Sequence, residues 1–347
     1  MPRTKQTHSL NLQPTTKKSI LDKKSSLSVT WLLIPQNFEA TRDNYKTYFR
    51  IFFVEERFLM EETKTKIIFS EKCLEYKWPG HIERPERVRK ALEFLRGEYE
   101  FLEPTPSSQE DLLTVHSKEY VDWIKNAKAG SYFDGDTPAP NYIYEYALLS
   151  AGSALLASQE NGFSFMRPPG HHAGRNGRAM GAATLGFCYF NNIAIAVKKL
   201  EKSVLILDID GHHGNGTQEI FQGNPKVTYV SLHLYPTYPG TGFTSHGNCL
   251  NFPLPYSTGN SLYLKTLEKA LSQVDITKVE VVAISAGFDA HDGDLASVGL
   301  TFEGYREIGR MVGALGKPVF GVLEGGYIGE YVGKDLRELI TGIEEKQ

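Results

Sequence analysis

The chain is poor in cysteine: Cys73, Cys188 and Cys249 are its only three, and no two of them form a C-x-x-C pair. This excludes a disulfide framework and a structural thiolate zinc site, and it makes a reducing cytoplasm the expected home. Positive charge is not in excess either. With 38 Lys and Arg against 41 Asp and Glu, the formal net charge is -3, whereas a protein that tracks a phosphate backbone usually carries a basic surplus. No direct nucleic-acid partner is expected. Long apolar runs are also missing, since nothing approaches the ~20 residues that span a membrane. Trp31-Leu32-Leu33-Ile34 is too short for the core of a secretory signal. There is no internal repeat and no interior linker.

Residues 1 to 27 are rich in Lys, Ser, Thr and Gln without periodic apolar positions, which reads as a disordered arm. The chain therefore divides into an N-terminal extension, residues 1–64, partly disordered, and one catalytic domain, residues 65–347. Regular structure is expected just after Met60, which raises the hypothesis that translation starts there. Mass spectrometry of the native N-terminus tests it, and peptides from residues 1 to 59 would sink it.

From Lys66 onward strand-like runs occur at Ile67-Ile68-Phe69, 162 to 166, 203 to 209, 226 to 233, 279 to 285 and 318 to 323. Helix-like segments fall at 85 to 96, 110 to 127, 143 to 158, 189 to 202, 261 to 273 and 302 to 315. This alternation predicts an α/β fold, a single domain with a central, mostly parallel sheet flanked by helices. Ligands in such sheets bind beyond the C-terminal strand ends. Four runs end in polar motifs: Arg167-Pro168-Pro169-Gly170-His171-His172, Asp208-Ile209-Asp210-Gly211-His212, Ala286-Gly287-Phe288-Asp289 and Glu324-Gly325-Gly326-Tyr327.

Asp210 and His212 stand two residues apart, so in extended backbone both point the same way and can reach one cation. A lone Asp-x-His is common at strand ends without a metal; Asp289 at the end of a second buried strand strengthens the case. Two carboxylates and one imidazole leave a coordination position open, as catalytic zinc requires. Such a metal acidifies water and polarises a carbonyl, which suits amide hydrolysis. That reaction also needs a proton acceptor and a donor, and His171 and His172 can supply both near neutral pH. Asp208 could orient one imidazole and Asn215 the other. Tyr327 could stabilise an oxyanion. Phe187 and Tyr238 could wall a narrow apolar channel for an alkyl chain.

These motifs, with Gly186-Phe187-Cys188-Tyr189-Phe190-Asn191-Asn192, resemble those of the zinc-dependent histone deacetylase family, including its acetylpolyamine amidohydrolase branch, over residues 65 to about 340. The resemblance implies the arginase-deacetylase fold, with Asp210, His212 and Asp289 as zinc ligands. It also implies that His172 is general base and acid with Asn215 as its partner, that His171 is an electrostatic partner paired with Asp208, and that Tyr327 donates to the oxyanion. The Gly186 carbonyl would accept the substrate amide N–H. Asn215 where the class I branch carries Asp makes the chain class II-like. A structural K+ is implied at Asp208, Asp210, His212, Ser231 and Leu232, and Asp136 loosely matches a rim residue that grips substrate backbone. Leu295 stands after Gly293-Asp294 where relatives often carry Pro.

The expected partner is an acetylated lysine peptide or an acetylated small amine. An acetylpolyamine-specific enzyme would place carboxylates at the channel mouth, for which Glu75, Glu83 and Asp292 are candidates. A dimanganese ureohydrolase is a lower-ranked alternative, suggested by Asp289-Ala290-His291-Asp292, and a non-catalytic acetyl-lysine-binding module is another. Fe2+ or Co2+ would fit the ligand types as well as Zn2+ does. Oligomeric state is not legible.

Overall fold

A computed structural model describes residues 65–346. The expected extension over 1–64, with its disordered arm and the Met60 start, lies outside the described residues. Eight parallel strands form the main sheet: β1 Ile67–Ile68, β2 Phe101–Leu102, β3 Phe163–Ser164, β4 Val204–Asp208, β5 Val227–Leu234, β6 Cys249–Leu254, β7 Val281–Ala286 and β8 Val319–Leu323. Their order across the sheet is β6-β5-β4-β7-β8-β3-β1-β2. The helices are α1 Glu86–Leu95, α2 Gln109–Leu113, α3 Lys118–Lys125, α4 Ile143–Glu160, α5 Asn192–Leu200, α6 Asn215–Phe221, α7 Gly259–Leu271, α8 Phe302–Gly313 and α9 Gly329–Glu344. No helix among the described residues is long and apolar enough to cross a membrane.

The three central strands β4, β7 and β8 are buried along their whole length, which explains why they read as unbroken apolar runs rather than as alternating ones. Alternation reappears as a division between two cores. Leu205, Leu207, Val282, Ile284 and Ala286 face one, with α1, α8 and α9. Val204, Ile206, Val281 and Ala283 face the other, with α4 and α5. Because side chains alternate across a strand, the same period fixes which polar residues emerge together where the strands end. Asp208 stands opposite Ser231 of β5 and Ser285 of β7, and Ser285 opposite Val322 of β8, so these strand ends lie level.

Several expected elements are revised. The single helix over 110 to 127 is two helices, since Ser117 accepts the Tyr120 N–H and starts a new N-terminus. The helix expected from 189 starts at Asn192, capped by the Asn191 side chain on the Ala194 N–H. Strand β6 escaped notice because Pro253 interrupts it, which is tolerated on an edge strand that pairs only with β5. Helix α6 hides behind Gly214 and Gly216, and α9 follows the glycines at 325 and 326 so closely that it reads as turn. Strand β2 is only two residues long.

A buried ion-pair network ties β3 to the loop before α1. The Glu83 carboxylate accepts from Arg167 Nε at 2.5 Å and Nη2 at 2.6 Å, and from Arg87 Nη1 at 3.2 Å. Arg167 also lies 3.9 Å from the centre of the Tyr76 ring. Burial alone would raise the pKa of Glu83, but Arg167 outweighs it and draws it down to about 2. Glu83 is therefore an internal structural anion and not a carboxylate of the channel mouth. Removing either partner leaves an uncompensated buried charge, which costs roughly 3–5 kcal/mol.

Candidate active site

The loops after β3, β4, β7 and β8 converge on one buried cluster. Asp210 and Asp289 have their outer oxygens fixed by backbone: Asp289 Oδ1 accepts from Gly211 N at 2.8 Å, and Asp210 Oδ2 from Gly325 N at 2.8 Å. These bonds need glycine at close range. A Cβ on Gly287 would fall 1.9 Å from Asp210 Oδ2, so a side chain there would displace the carboxylate. His212 Nδ1 lies 2.7 Å from Asp289 Oδ2 and 3.3 Å from Asp210 Oδ1.

The three residues form a group whose donor atoms all lie within 4.8 Å of one another. Although His212 Nδ1 is close, Asp289 Oδ2 is buried without a satisfied hydrogen bond. An orphaned carboxylate oxygen is costly to bury, and a cation supplies the missing partner. The donor set of two oxygens and one nitrogen fits a divalent transition metal.

Two adjacent imidazoles flank this group with centroids 4.0 Å apart. His171 Nδ1 meets Asp208 Oδ2 at 3.1 Å, and His172 Nδ1 meets Asn215 Oδ1 at 2.8 Å. The Asn215 amide is oriented by its own donation to the Ala179 carbonyl at 2.9 Å, so its oxygen faces His172 and fixes the proton on Nδ1. The His172 Nε2 lone pair is left free to accept a proton. Burial disfavours charge on both rings, yet they diverge. Asp210 and Asp208 overcome burial at His171 and push it up to about 10. At His172 the neighbouring His171 charge adds to burial, and its pKa falls well below the ordinary value. One imidazole is held charged and the other neutral. The turn that carries them is cradled by Glu324, which accepts from Gly170 N at 2.7 Å, His171 N at 3.1 Å and Ser285 Oγ at 2.8 Å.

A family model described as histone deacetylase domain matches residues 81–343. A probable deacetylase of Archaeoglobus fulgidus is 40% identical over 297 residues, covering 76% of this chain and 81% of that protein. Acetylpolyamine amidohydrolase of Burkholderia pseudomallei is 34% identical over 229 residues, covering 60% and 65%. Among solved structures, the HD domain of HDA15 aligns with TM-score 0.74 at 33% identity, covering 82% of this chain and 89% of that one. The chain belongs to the histone deacetylase family. The fold is accordingly the α/β arginase-deacetylase fold of that family.

Within this family member the expected channel residues gather beside the imidazoles. Tyr238 packs edge-on to His172 at 4.9 Å and to His212 at 6.1 Å, and its hydroxyl donates to the Thr184 carbonyl at 3.0 Å. Gly186 has φ +56, and a Cβ there would sit 2.6 Å from His172 Cδ2 and 2.7 Å from the Tyr238 hydroxyl; only glycine passes. Phe187 also holds a positive φ of 68, a conformation a non-glycine residue keeps only when its surroundings impose it. Its N–H donates to Thr137 Oγ1 at 3.1 Å, and its ring meets His81 at 4.7 Å and Tyr327 at 5.9 Å. Burial pushes the Tyr327 phenol well above its ordinary range despite the nearby Arg87 cation, so it remains an O–H donor. The expected K+ residues are adjacent as well: Ser231 faces Asp208 across β4 and β5, and Leu232 follows it.

Other expectations at the rim change. Both Asp136 oxygens are engaged internally, by Thr137 Oγ1 at 2.7 Å and Thr184 Oγ1 at 2.6 Å, and its backbone carbonyl meets His81 Nε2 at 2.9 Å. Glu75 and Asp292 are exposed. The ureohydrolase alternative loses its second metal set, since His291 turns to Asp335 at 2.9 Å and the group at Asp210, His212 and Asp289 is the one found among the described residues.

Tyr229 was missed. Its hydroxyl donates to Asp208 Oδ2 at 2.9 Å, and the available signal was its place on β5, one strand period before Ser231. Arg87 was missed too; it donates to the carbonyls of Glu324 and Gly326, on either side of Gly325, a link that sequence separation conceals.

Proposed function

We propose that the chain is a zinc-dependent amidohydrolase that removes acetyl groups from N-acetyl-lysine or acetylated small amines. The coarser part of this reading follows from the family: the chain is a hydrolytic deacetylase. The observation that carries the finer part is the unequal pairing of the two imidazoles, carboxylate on His171 and amide on His172, beside a buried Asp-His-Asp group with an orphaned oxygen.

In this reading Asp210, His212 and Asp289 hold Zn2+, with Fe2+ or Co2+ compatible with the same donors. A bound ion of this kind supplies Lewis-acid chemistry, acidifying water and polarising an amide carbonyl. His172, neutral and with Nε2 unprotonated, takes the proton of the attacking water and passes it to the leaving amine. His171, charged against Asp208, stabilises negative charge as it develops. Tyr327 donates its phenolic hydrogen to the same developing oxyanion. Phe187 and Tyr238 exclude water from the alkyl chain, and the Gly186 carbonyl receives the substrate amide N–H. A K+ at Asp208, Asp210, His212, Ser231 and Leu232 steadies the strand end. The catalytic unit is residues 65–347, working in the cytoplasm.

The acetyl-lysine form of the reading is favoured over the acetylpolyamine form because Glu83, one of three carboxylates suited to greet a distant ammonium, is committed to Arg167 and Arg87. A non-catalytic binding module is disfavoured by the retention of His171, His172 and Tyr327 around one site. The test is acetate release from a panel of acetyl-lysine peptides and acetylated polyamines, with Tyr327→Phe and His172→Ala variants alongside. Turnover lost on chelation and strongly reduced in both variants is expected. Binding without turnover by the metal-loaded wild type points to the binding module instead.

A further inference from the structure

The loop that leaves Asp289 closes on itself before it reaches α8. The Asp289 carbonyl accepts from Ala296 N at 3.2 Å and Ser297 N at 3.0 Å, and the His291 carbonyl accepts from Asp294 N at 3.1 Å. At the crest of this loop Asp294 is 8% exposed. Its carboxylate does not face solvent or a cation. It accepts from Tyr327 N, at 2.9 Å to Oδ2 and 3.2 Å to Oδ1, from Ile328 N at 2.9 Å, and from Leu295 N at 2.6 Å. The Tyr327 and Ile328 N–H groups lead into α9, whose cap position Ile328 offers no side-chain acceptor. Both the unsatisfied amides and the helix dipole favour an anion there.

The consequence concerns the phenol. Tyr327 follows Gly325 and Gly326, and Gly326 has φ +105, so the backbone on its N-terminal side is placed by its hydrogen bonds, to Asp210 and from Arg87, rather than by a side-chain preference. We infer that Asp294 is a positioning residue for Tyr327: its carboxylate locks the backbone N–H of the tyrosine itself to the loop that carries Asp289, and so sets where the hydroxyl lies relative to the metal-binding group. This inference rests on the deacetylase reading for its catalytic meaning. The fixing of the loop is independent of that reading. A second tie runs parallel to it, since His291 Nδ1 meets Asp335 of α9 at 2.9 Å, so loss of Asp294 would free the tyrosine without detaching the helix. Asn at 294 is not an equivalent, because its amide nitrogen cannot accept and would face two N–H donors on one side.

The experiment compares full-length wild type with Asp294→Asn, Asp294→Ala and Asp294→Glu by hydrogen–deuterium exchange, metal analysis and steady-state kinetics. Exchange over residues 325–331 is expected to quicken by roughly tenfold or more in the Asn and Ala variants while the segment 204–215 is unchanged, as local opening allows. Metal content should match wild type. A misplaced group of this kind costs on the order of 100-fold in kcat, with KM within about threefold, and Asp294→Glu should recover part of the loss. Adding Tyr327→Phe to Asp294→Asn should cost little beyond Tyr327→Phe alone, since coupled residues are non-additive. Faster exchange throughout the chain, unchanged exchange at 325–331, or a full additive loss in the double variant each overturns the assignment. A wild type without acetate release overturns the deacetylase reading instead, and the exchange data still decide the role of Asp294 in fixing the loop.

Discussion

Tyr229 and His171 converge on a single oxygen of Asp208, the phenol at 2.9 Å and the imidazole Nδ1 at 3.1 Å. The carboxylate is wholly buried, and burial raises its pKa although His171 opposes this. The phenol is thus a neutral donor that favours the ionised form without competing for charge. Tyr229→Phe should lower kcat more than it changes KM and should cost about 1.5–3 kcal/mol in stability, the range for a hydrogen bond to a charged group. Urea denaturation and steady-state kinetics check this. A variant as stable and as fast as wild type would show the phenol to be idle.

Asn215 sets His172 apart from His171. Replacing the amide by a carboxylate in Asn215→Asp gives His172 an anionic partner, which favours its protonated form and raises its pKa. A general base must be unprotonated, so the acidic limb of the kcat/KM profile should move to higher pH with it. The pH profile of the variant beside wild type decides it, and an unmoved acidic limb assigns the proton-accepting role elsewhere.

Removal of divalent metal should abolish acetate release and lower thermal stability together, because Asp289 Oδ2 then regains its orphan state. Ligand linkage sets the scale: about 4 kcal/mol when free metal stands at roughly 1,000 times Kd. Tm measured with chelator, then with Zn2+, Fe2+ or Co2+ restored, tests both effects. Activity that survives thorough chelation would falsify the metal assignment.

His116 gives a pH dependence remote from that site. It is buried, its Nδ1 lies 2.9 Å from the Gly174 carbonyl, and its Nε2 accepts the Asn191 N–H at 2.9 Å. A second ring proton would confront that N–H. Burial lowers its pKa from 6.5 to about 4. The folded value lies below the unfolded one, so unfolded chains bind the extra proton between those limits. The stability from neutral His116 is complete above pH 6.5 and is lost as pH falls toward 4, on the order of 3 kcal/mol. Urea midpoints across this window should fall more steeply for wild type than for His116→Gln. Equal slopes in the two proteins would remove His116 from the acid response.

Much of this was legible because the chemistry is local in sequence. Asp208, Asp210 and His212 share a strand period, His171 and His172 are neighbours, and each motif follows an apolar run that can only be a buried strand. What escaped depends on partners far away along the chain. Glu83 looks like any exposed acidic residue until Arg167, 84 positions on, is folded against it. Asp294 looks like turn chemistry until the amides of Tyr327 and Ile328 arrive. Helix α9 is masked by Gly325, which passes beneath the carboxylates of Asp210 and Asp289, and by Gly326, which turns at φ +105.

The level ends of β4, β7 and β8 have a kinetic meaning. No one of the converging loops holds the chemistry, and the strands that align them pair across long stretches of chain, with Asp208 opposite Ser285 and Ser285 opposite Val322. Pairings of such high sequence separation are costly to close and form slowly. A one-residue slip would turn Asp208 and Asp210 to the opposite face. Acetate release therefore reports on completed folding: a chain can regain helix and collapse first, and turnover returns only when the last strand has found its register.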